Sequence, residues 1–183
     1  MMMIGYDLLL KSHPADVEME RIAQLERQLT EVARQSNACR LLMTVPGIGL
    51  ITATGLVAAT SGSVARFTSA RHFASWFGLT PREHSSGGQR SLGRISKMGD
   101  RYLRTMLTHG ARAVLQASAA SAAKGKELTG INKWGLEVRQ RTNHNKATYA
   151  VANKMARIAY GVLRDQRAAR PSYKRRRTLI QSN

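Results

Sequence analysis

Carboxylates are the scarce residues of this chain. Its 183 residues hold 11 Asp and Glu against 29 Lys and Arg, a formal charge of +18. Between Val32 and Arg82 there is no acid at all, although Arg34, Arg40, Arg66 and Arg71 stand there. A segment without carboxylates cannot by itself hold a hard divalent metal, but it can approach phosphates without repulsion. So large an excess of cations favours a polyanionic partner, nucleic acid before an anionic membrane. Long apolar runs are also missing: none approaches the roughly 18–20 residues that span a bilayer. The opening MMMIGYDLLLK has one short apolar run and no cleavage-like site, so it does not read as a signal peptide. The single Cys39 excludes an intramolecular disulfide and a cysteine-rich zinc site, and suits a reducing cytoplasm. Aromatic residues are few, 5%, and Trp76, Phe77, Tyr149 and Tyr160 sit where core packing explains them better than base stacking. His72, His109 and His144 show no metal-ligand spacing.

What is present is helical. Pro14 suits the first turn of a helix running from Ser12 through Val32, with Asp16, Glu18 and Glu20 complementing its dipole. Ile22, Leu25, Leu29 and Val32 step by 3, 4 and 3 residues, a heptad seam that fits packing on the chain's own helices and pairing with a second chain equally well. Residues 38–60 predict a helix, a turn at Pro46-Gly47-Ile48-Gly49 and a second apolar helix. Ser69 or Thr68 caps a helix from Ala70 to Phe77, and Gly78 ends it. The polar, glycine-containing stretch from Thr80 to Arg94 predicts a loop. Asp100 opens a long helix to about Ala123 with Leu103, Met106, Leu107, Ala111, Val114 and Leu115 on its buried stripe. Gly125 to Asn145 is mixed, anchored by Trp134, Leu136 and Val138. A last helix covers about Lys146 to Ala168. No strand pattern emerges, so the expected fold class is all-α, with a helix-hairpin-helix-like element and an amino-terminal coiled-coil-like helix. The expected divisions are an arm at 1–37, a helical domain at 38–168 and a basic, disordered tail at 169–183.

Three motifs carry possible chemistry, each beside a plain structural reading. Gly47 and Gly49, with an apolar residue between and helices on either side, match a helix-hairpin-helix turn whose backbone N–H groups bind one phosphate regardless of base sequence. An ordinary turn between packed helices has the same spacing. Arg101, Arg104, Thr108 and Arg112 share one face of the long helix, extended by Lys97 and Arg94 into the preceding loop. Only Asp100 lies among these cations, which favours a phosphate-contacting face over a merely solvated one. Ser85 and Ser86 follow His84 among Arg82, Arg90 and Arg94, which can stabilise charge developing on a phosphate. Serine is nevertheless a poor nucleophile unaided, and Ser-Gly-Gly is common turn chemistry.

Four blocks in order, LLMTVPGIGLITATGL, FTSARHFASWFGLTP, SSGGQRSLGRISKMGDRYLRTMLTHGA and NHNKATYAVANKMARI, resemble the carboxy-terminal half of the insertion-sequence transposases related to the bacterial pilin-gene invertase. The resemblance runs from about Ile22 to Leu163. It implies a serine that attacks a DNA phosphodiester and forms a covalent phosphoserine intermediate. The family's serine precedes a glycine upstream of a Gly-Ile-Ser-Lys-X-Gly segment, here Ser86 before Gly87, with Ser85 as the fallback. The resemblance further implies DNA as partner, a structured guide RNA, a homo-oligomer through the 22–32 helix, no membrane, and a bacterial cytoplasmic, nucleoid-associated location. In that family Mg²⁺ is bound by four acids of a RuvC-like nuclease domain. This chain offers no equivalent tetrad and begins in the helical linker, so no metal site is expected in it. Recombination is expected only when that domain is supplied. The alternative is a truncated nucleic-acid-binding module or regulator without catalysis.

Overall fold

The computed structural model describes residues 14–169, except Gly87 and Arg90. Seven helices and one small hairpin are found among them: α1 (Pro14–Gln35), α2 (Asn37–Leu42), α3 (Leu50–Thr60), α4 (Ala70–Trp76), β1 (Pro81–Glu83), β2 (Leu92–Ile95), α5 (Arg101–Ala123), α6 (Gly130–Arg141) and α7 (His144–Asp165). No described helix is long and apolar enough to cross a membrane. The basic tail and the residues before Pro14 lie outside the described range.

Helix α7 is the hub. It packs against α2, α4, α5 and α6, while α5 also meets α3 and α6. The 3.6-residue period of α7 places Val151, Met155, Ala159, Val162 and Leu163 in the core, facing Leu103, Leu107, Ala111 and Leu115 of α5 and the aromatic cluster of α4. In that cluster Phe73 stands edge-on to Phe67 and Phe77, with ring centroids 4.8 and 4.9 Å away. Side-chain caps close the starts of α4, α5 and α7: Ser69, one of the two residues expected for α4, Asp100 as expected for α5, and Asn143, which falls in the mixed stretch before α7. Ser69 accepts from His72 N at the start of α4, Asp100 from Leu103 N at the start of α5, and Asn143 from Lys146 N at the start of α7.

Two expectations are corrected. The stretch from Thr80 to Arg94 is not simply a loop, because its ends pair as an antiparallel β1–β2 ribbon with Pro81 opposite Ile95 and Glu83 opposite Leu92. The ribbon is solvent-exposed on both faces apart from the half-buried Ile95, so it needs no alternating apolar pattern. Residues 130–141 form a regular helix, whose Ile131, Gly135 and Val138 are buried. The three glycines of the mixed stretch, Gly125, Gly130 and Gly135, mask its periodicity. At Gly135 a side chain would meet Leu115 and Val151 within 3.2 Å.

Helix α1 is docked only near its end. Ala33 is buried, yet Ile22 and Leu25 are 53% exposed and Val32 59%. Ile22, Leu25 and Val32 of the seam therefore have no partner helix among the described residues, where no coiled coil is distinguished. The α2–turn–α3 segment is likewise not distinguished as a helix-hairpin-helix. Gly47, at φ +84°, lies against α5, where a side chain would strike the Gly110 carbonyl, Met155 and Val114. Its glycine is explained by close packing.

Candidate nucleic-acid interface

The hairpin carries the two serines. Its base is fastened by Ser96 N donating to Thr80 O (2.8 Å) and Lys97 N to Gly78 O (3.2 Å). Farther out, His84 N donates to Ser91 O (2.9 Å), and Gln89 N to Ser86 O (3.1 Å) closes the tip. An isolated two-stranded ribbon is marginal in water. Here Gly99, at φ +119°, lets the chain pass directly against the Trp76 carbonyl and ties the ribbon to α4.

The neighbouring serines stand in different situations. The Ser85 hydroxyl donates to Glu83 Oε1 (2.8 Å) and accepts from Ser91 N (3.3 Å), so it is part of the ribbon's own scaffold. Ser86 is exposed at the tip, and its Oγ has no hydrogen-bond partner among the described residues. No base is hydrogen-bonded to it there. Arg82 and Arg94 are exposed on the two strands, with Arg82 reaching back to Ser96 O (3.4 Å). Arg90 lies outside the described residues.

The cationic face of α5 divides into exposed members and one that is bonded within the fold. Arg101 and Arg112 are exposed. Arg104 is half-buried, and its Nη1 lies within reach of the carbonyls of Phe77 (3.2 Å), Lys97 (3.1 Å) and Gly99 (3.5 Å). It holds the end of α4 and the hairpin's return strand to α5. Thr108 is buried, its hydroxyl donating to Arg104 O (2.7 Å). Among the described residues none of Lys97, Arg101, Arg104 or Arg112 is paired with a carboxylate. Sequence reasoning missed what this face meets. Ile95 and Lys97 from the hairpin base, Arg104, Thr105, Thr108, His109 and Arg112 from α5, and Tyr149 from α7 line a cleft of about 200 Å³. No periodicity links Tyr149 to α5, so only the packing of α7 could reveal it.

Other predicted contributors lie apart. Neither Gly47 nor Gly49 lines the cleft. Gly49 is the exposed amino-terminal cap residue of α3, makes no side-chain cap hydrogen bond, and has open space where a side chain would be. Arg66, from the acid-free segment, is used internally. Its guanidinium lies 4.9 Å from the ring centres of Phe67 and Trp76 and donates to Ala59 O (2.7 Å). Lys154 sits 3.8 Å over the Trp134 ring, and partial burial, aided by Arg157, lowers its pKa from the usual lysine value. Among the described residues no three His, Cys, Asp or Glu are placed to hold a metal ion.

Residues 39–126 match the family model described as the Transposase IS116/IS110/IS902 family. The chain is 44% identical over 151 residues to a probable family 20 transposase of Pseudomonas aeruginosa, an alignment covering 82% of this chain and 43% of that protein. It is 36% identical over 151 residues to the transposase for insertion sequence element IS1111A of Coxiella burnetii, covering 82% of this chain and 40% of the relative. A pilin gene-inverting protein of Moraxella bovis is 30% identical over 153 residues, covering 81% and 45%. The chain thus spans less than half the length of these curated relatives.

Proposed function

Through residues 39–126 the chain belongs to the IS116/IS110/IS902 transposase family, and from that premise we propose that it is the serine-bearing, nucleic-acid-binding part of an insertion-sequence recombinase. Ser86 is the nucleophile. Its Oγ forms a bond to a DNA phosphorus as one phosphorus–oxygen bond of the backbone breaks, and the displaced oxygen leaves as a hydroxyl. The serine's proton passes to a base outside the described contacts of Ser86. The phosphoserine ester keeps the energy of the broken bond, so attack by another strand's hydroxyl rejoins DNA and frees the serine. Arg82 and Arg94, on the strands below, stabilise charge on the phosphoryl oxygens, with Arg90 completing the set by sequence. Lys97, Arg101 and Arg112 carry the adjoining backbone, and the exposed start of α3 at Gly49 offers a further phosphate contact.

The observation that carries this reading is the difference between the tandem serines. Ser85 is committed to Glu83 and Ser91, whereas Ser86 is exposed with its hydroxyl unengaged among the described residues. The described acids do not fit a magnesium site. In this reading the metal-binding acids belong to a RuvC-like nuclease domain acting together with this chain. A structured guide RNA and a second copy joined through the exposed seam of α1 complete the assembly.

The test is covalent trapping on element-end DNA with guide RNA and Mg²⁺. The chain is assayed alone, with a nuclease domain taken from a working relative, and as Ser86→Ala and Ser85→Ala. The expected product is a protein–DNA adduct that requires the added domain, survives in Ser85→Ala and is absent in Ser86→Ala. Adduct retained by Ser86→Ala refutes the assignment. DNA binding without adduct, beside a full-length relative that works, makes the chain a binding module or regulator.

A further inference from the structure

The cleft between the hairpin base, α5 and α7 has a geometry that the recombination chemistry does not use. We propose that it is a subsite for one backbone phosphate of a single nucleic-acid strand, held by Lys97, Arg112 and the Tyr149 hydroxyl. The inference rests on the nucleic-acid-binding reading above and is independent of the serine chemistry.

Four observations support it. The first is charge: Lys97, Arg104 and Arg112 line one small cleft, no carboxylate lines it, and none is paired with these cations among the described residues. Bringing three cations together is unfavourable unless an anion joins them. The second is size. About 200 Å³ corresponds to roughly six or seven water volumes at about 30 Å³ each, enough for a phosphodiester and part of its sugar but not for a duplex.

The third is backbone strain. Lys97 has φ +56°, a left-handed conformation that is costly for a residue with a Cβ and cheap for glycine. The conformation is imposed from both sides, by Lys97 N donating to Gly78 O and by Arg104 Nη1 donating to Lys97 O. A lysine kept where glycine fits better points to use of its side chain. The fourth is Tyr149. It is half-buried against the core, lines the cleft, and its hydroxyl has no hydrogen-bond partner among the described residues. A tyrosine so placed normally finds a partner for its hydroxyl, and a phosphate oxygen is one.

Position separates this subsite from the reaction centre. Ser86 is at the hairpin tip, where it bridges Gln89, and Lys97 is at the base. At about 3.3 Å per residue the ribbon from Gln89 to Lys97 spans up to about 25 Å. The strand residues Leu92–Ile95 lie between them, so a nucleic-acid strand running down the hairpin can touch both. The cleft thereby anchors the strand while its scissile bond lies at Ser86.

The experiment measures binding of the full 183-residue chain to a short fluorescein-labelled single strand by anisotropy across a salt series, with melting temperatures beside it. Lys97→Gly is expected to weaken binding about tenfold and to reduce the slope of log K against log salt by about 0.7, the value for one lost single-strand phosphate contact. Its melting temperature should not fall, because glycine relieves the strained φ, so lost binding is not lost folding. Arg112→Gln is expected to show the same slope change, and Tyr149→Phe a few-fold loss with the slope intact, since the hydroxyl is uncharged. Lys133→Gln, on the exposed face of α6, serves as a control for removal of one distant charge. Slopes for Lys97→Gly and Arg112→Gln equal to that of Lys133→Gln overturn the subsite while leaving nucleic-acid binding standing. Thermal protection by inorganic phosphate equal to that by the strand identifies a free-anion site and also overturns it. No binding of the strand by the unaltered chain overturns the nucleic-acid reading itself.

Discussion

At the residue scale, arginines that look alike in sequence do different work. Arg104 and Arg112 lie two turns apart on one helix face, yet Arg104 is half-buried with three carbonyls around Nη1 and Arg112 is exposed. Hydrogen bonds from a charged donor contribute about 1.5–3 kcal/mol, and an exposed cation without such bonds contributes within about 0.5 kcal/mol. Arg104→Ala should therefore lower unfolding free energy in urea by about 2 kcal/mol and loosen the hairpin. Arg112→Ala should leave stability nearly unchanged while weakening DNA binding. Equal stability losses for the two would contradict this division. The same contrast governs Ser85 and Ser86, where a carboxylate two residues upstream engages one hydroxyl and not the other.

At the element scale, close backbone approach decides where the turn before α3 sits. The Gly110 backbone of α5 lies against the Gly47 carbonyl, and a Cβ on Gly110 would collide with that carbonyl and meet Met155. An alanine would be welcome in a helix interior by propensity, so Gly110→Ala gives a clear sign test. Overpacking against backbone costs about 1–3 kcal/mol, which outweighs the gain of roughly 1 kcal/mol from replacing glycine. A net loss of stability is expected in thermal or urea unfolding, and a stabilised variant would show that α5 and the turn can separate freely. The ribbon β1–β2 illustrates the opposite case. Little is buried along it, so its shape depends on hydrogen bonds and on its anchorage at Gly99.

At the scale of the whole molecule, α1 projects an apolar seam with no partner among the described residues. Ile22, Leu25 and Val32 are more than half exposed. Pairing with a second copy is the proposed use, and heptad spacing gives the geometry. Leu25→Glu should shift the chain to monomer in sedimentation velocity with no fall in the melting temperature of the core, because the residue touches little within its own chain. A wild-type chain that sediments as monomer over the accessible concentrations removes the seam from the assembly.

The sequence by itself determined the helical class, the cap at Asp100, the buried stripe of α5, and the family resemblance. Each depends on spacing along one element or on a linear order of motifs, which a sequence displays directly. The hairpin, helix α6 and the cleft were decided by tertiary structure. A ribbon exposed on both faces carries no alternation, and a glycine used for close packing, Gly135, helps disguise a helix. The cleft exists because α7 brings Tyr149 to α5 beside a lysine held left-handed by hydrogen bonds from Arg104 and to Gly78. Which arginine is braced and which stays exposed, and which serine hydroxyl is unengaged among the described residues, follow from neighbours distant along the chain or from a local turn geometry that residue order does not encode.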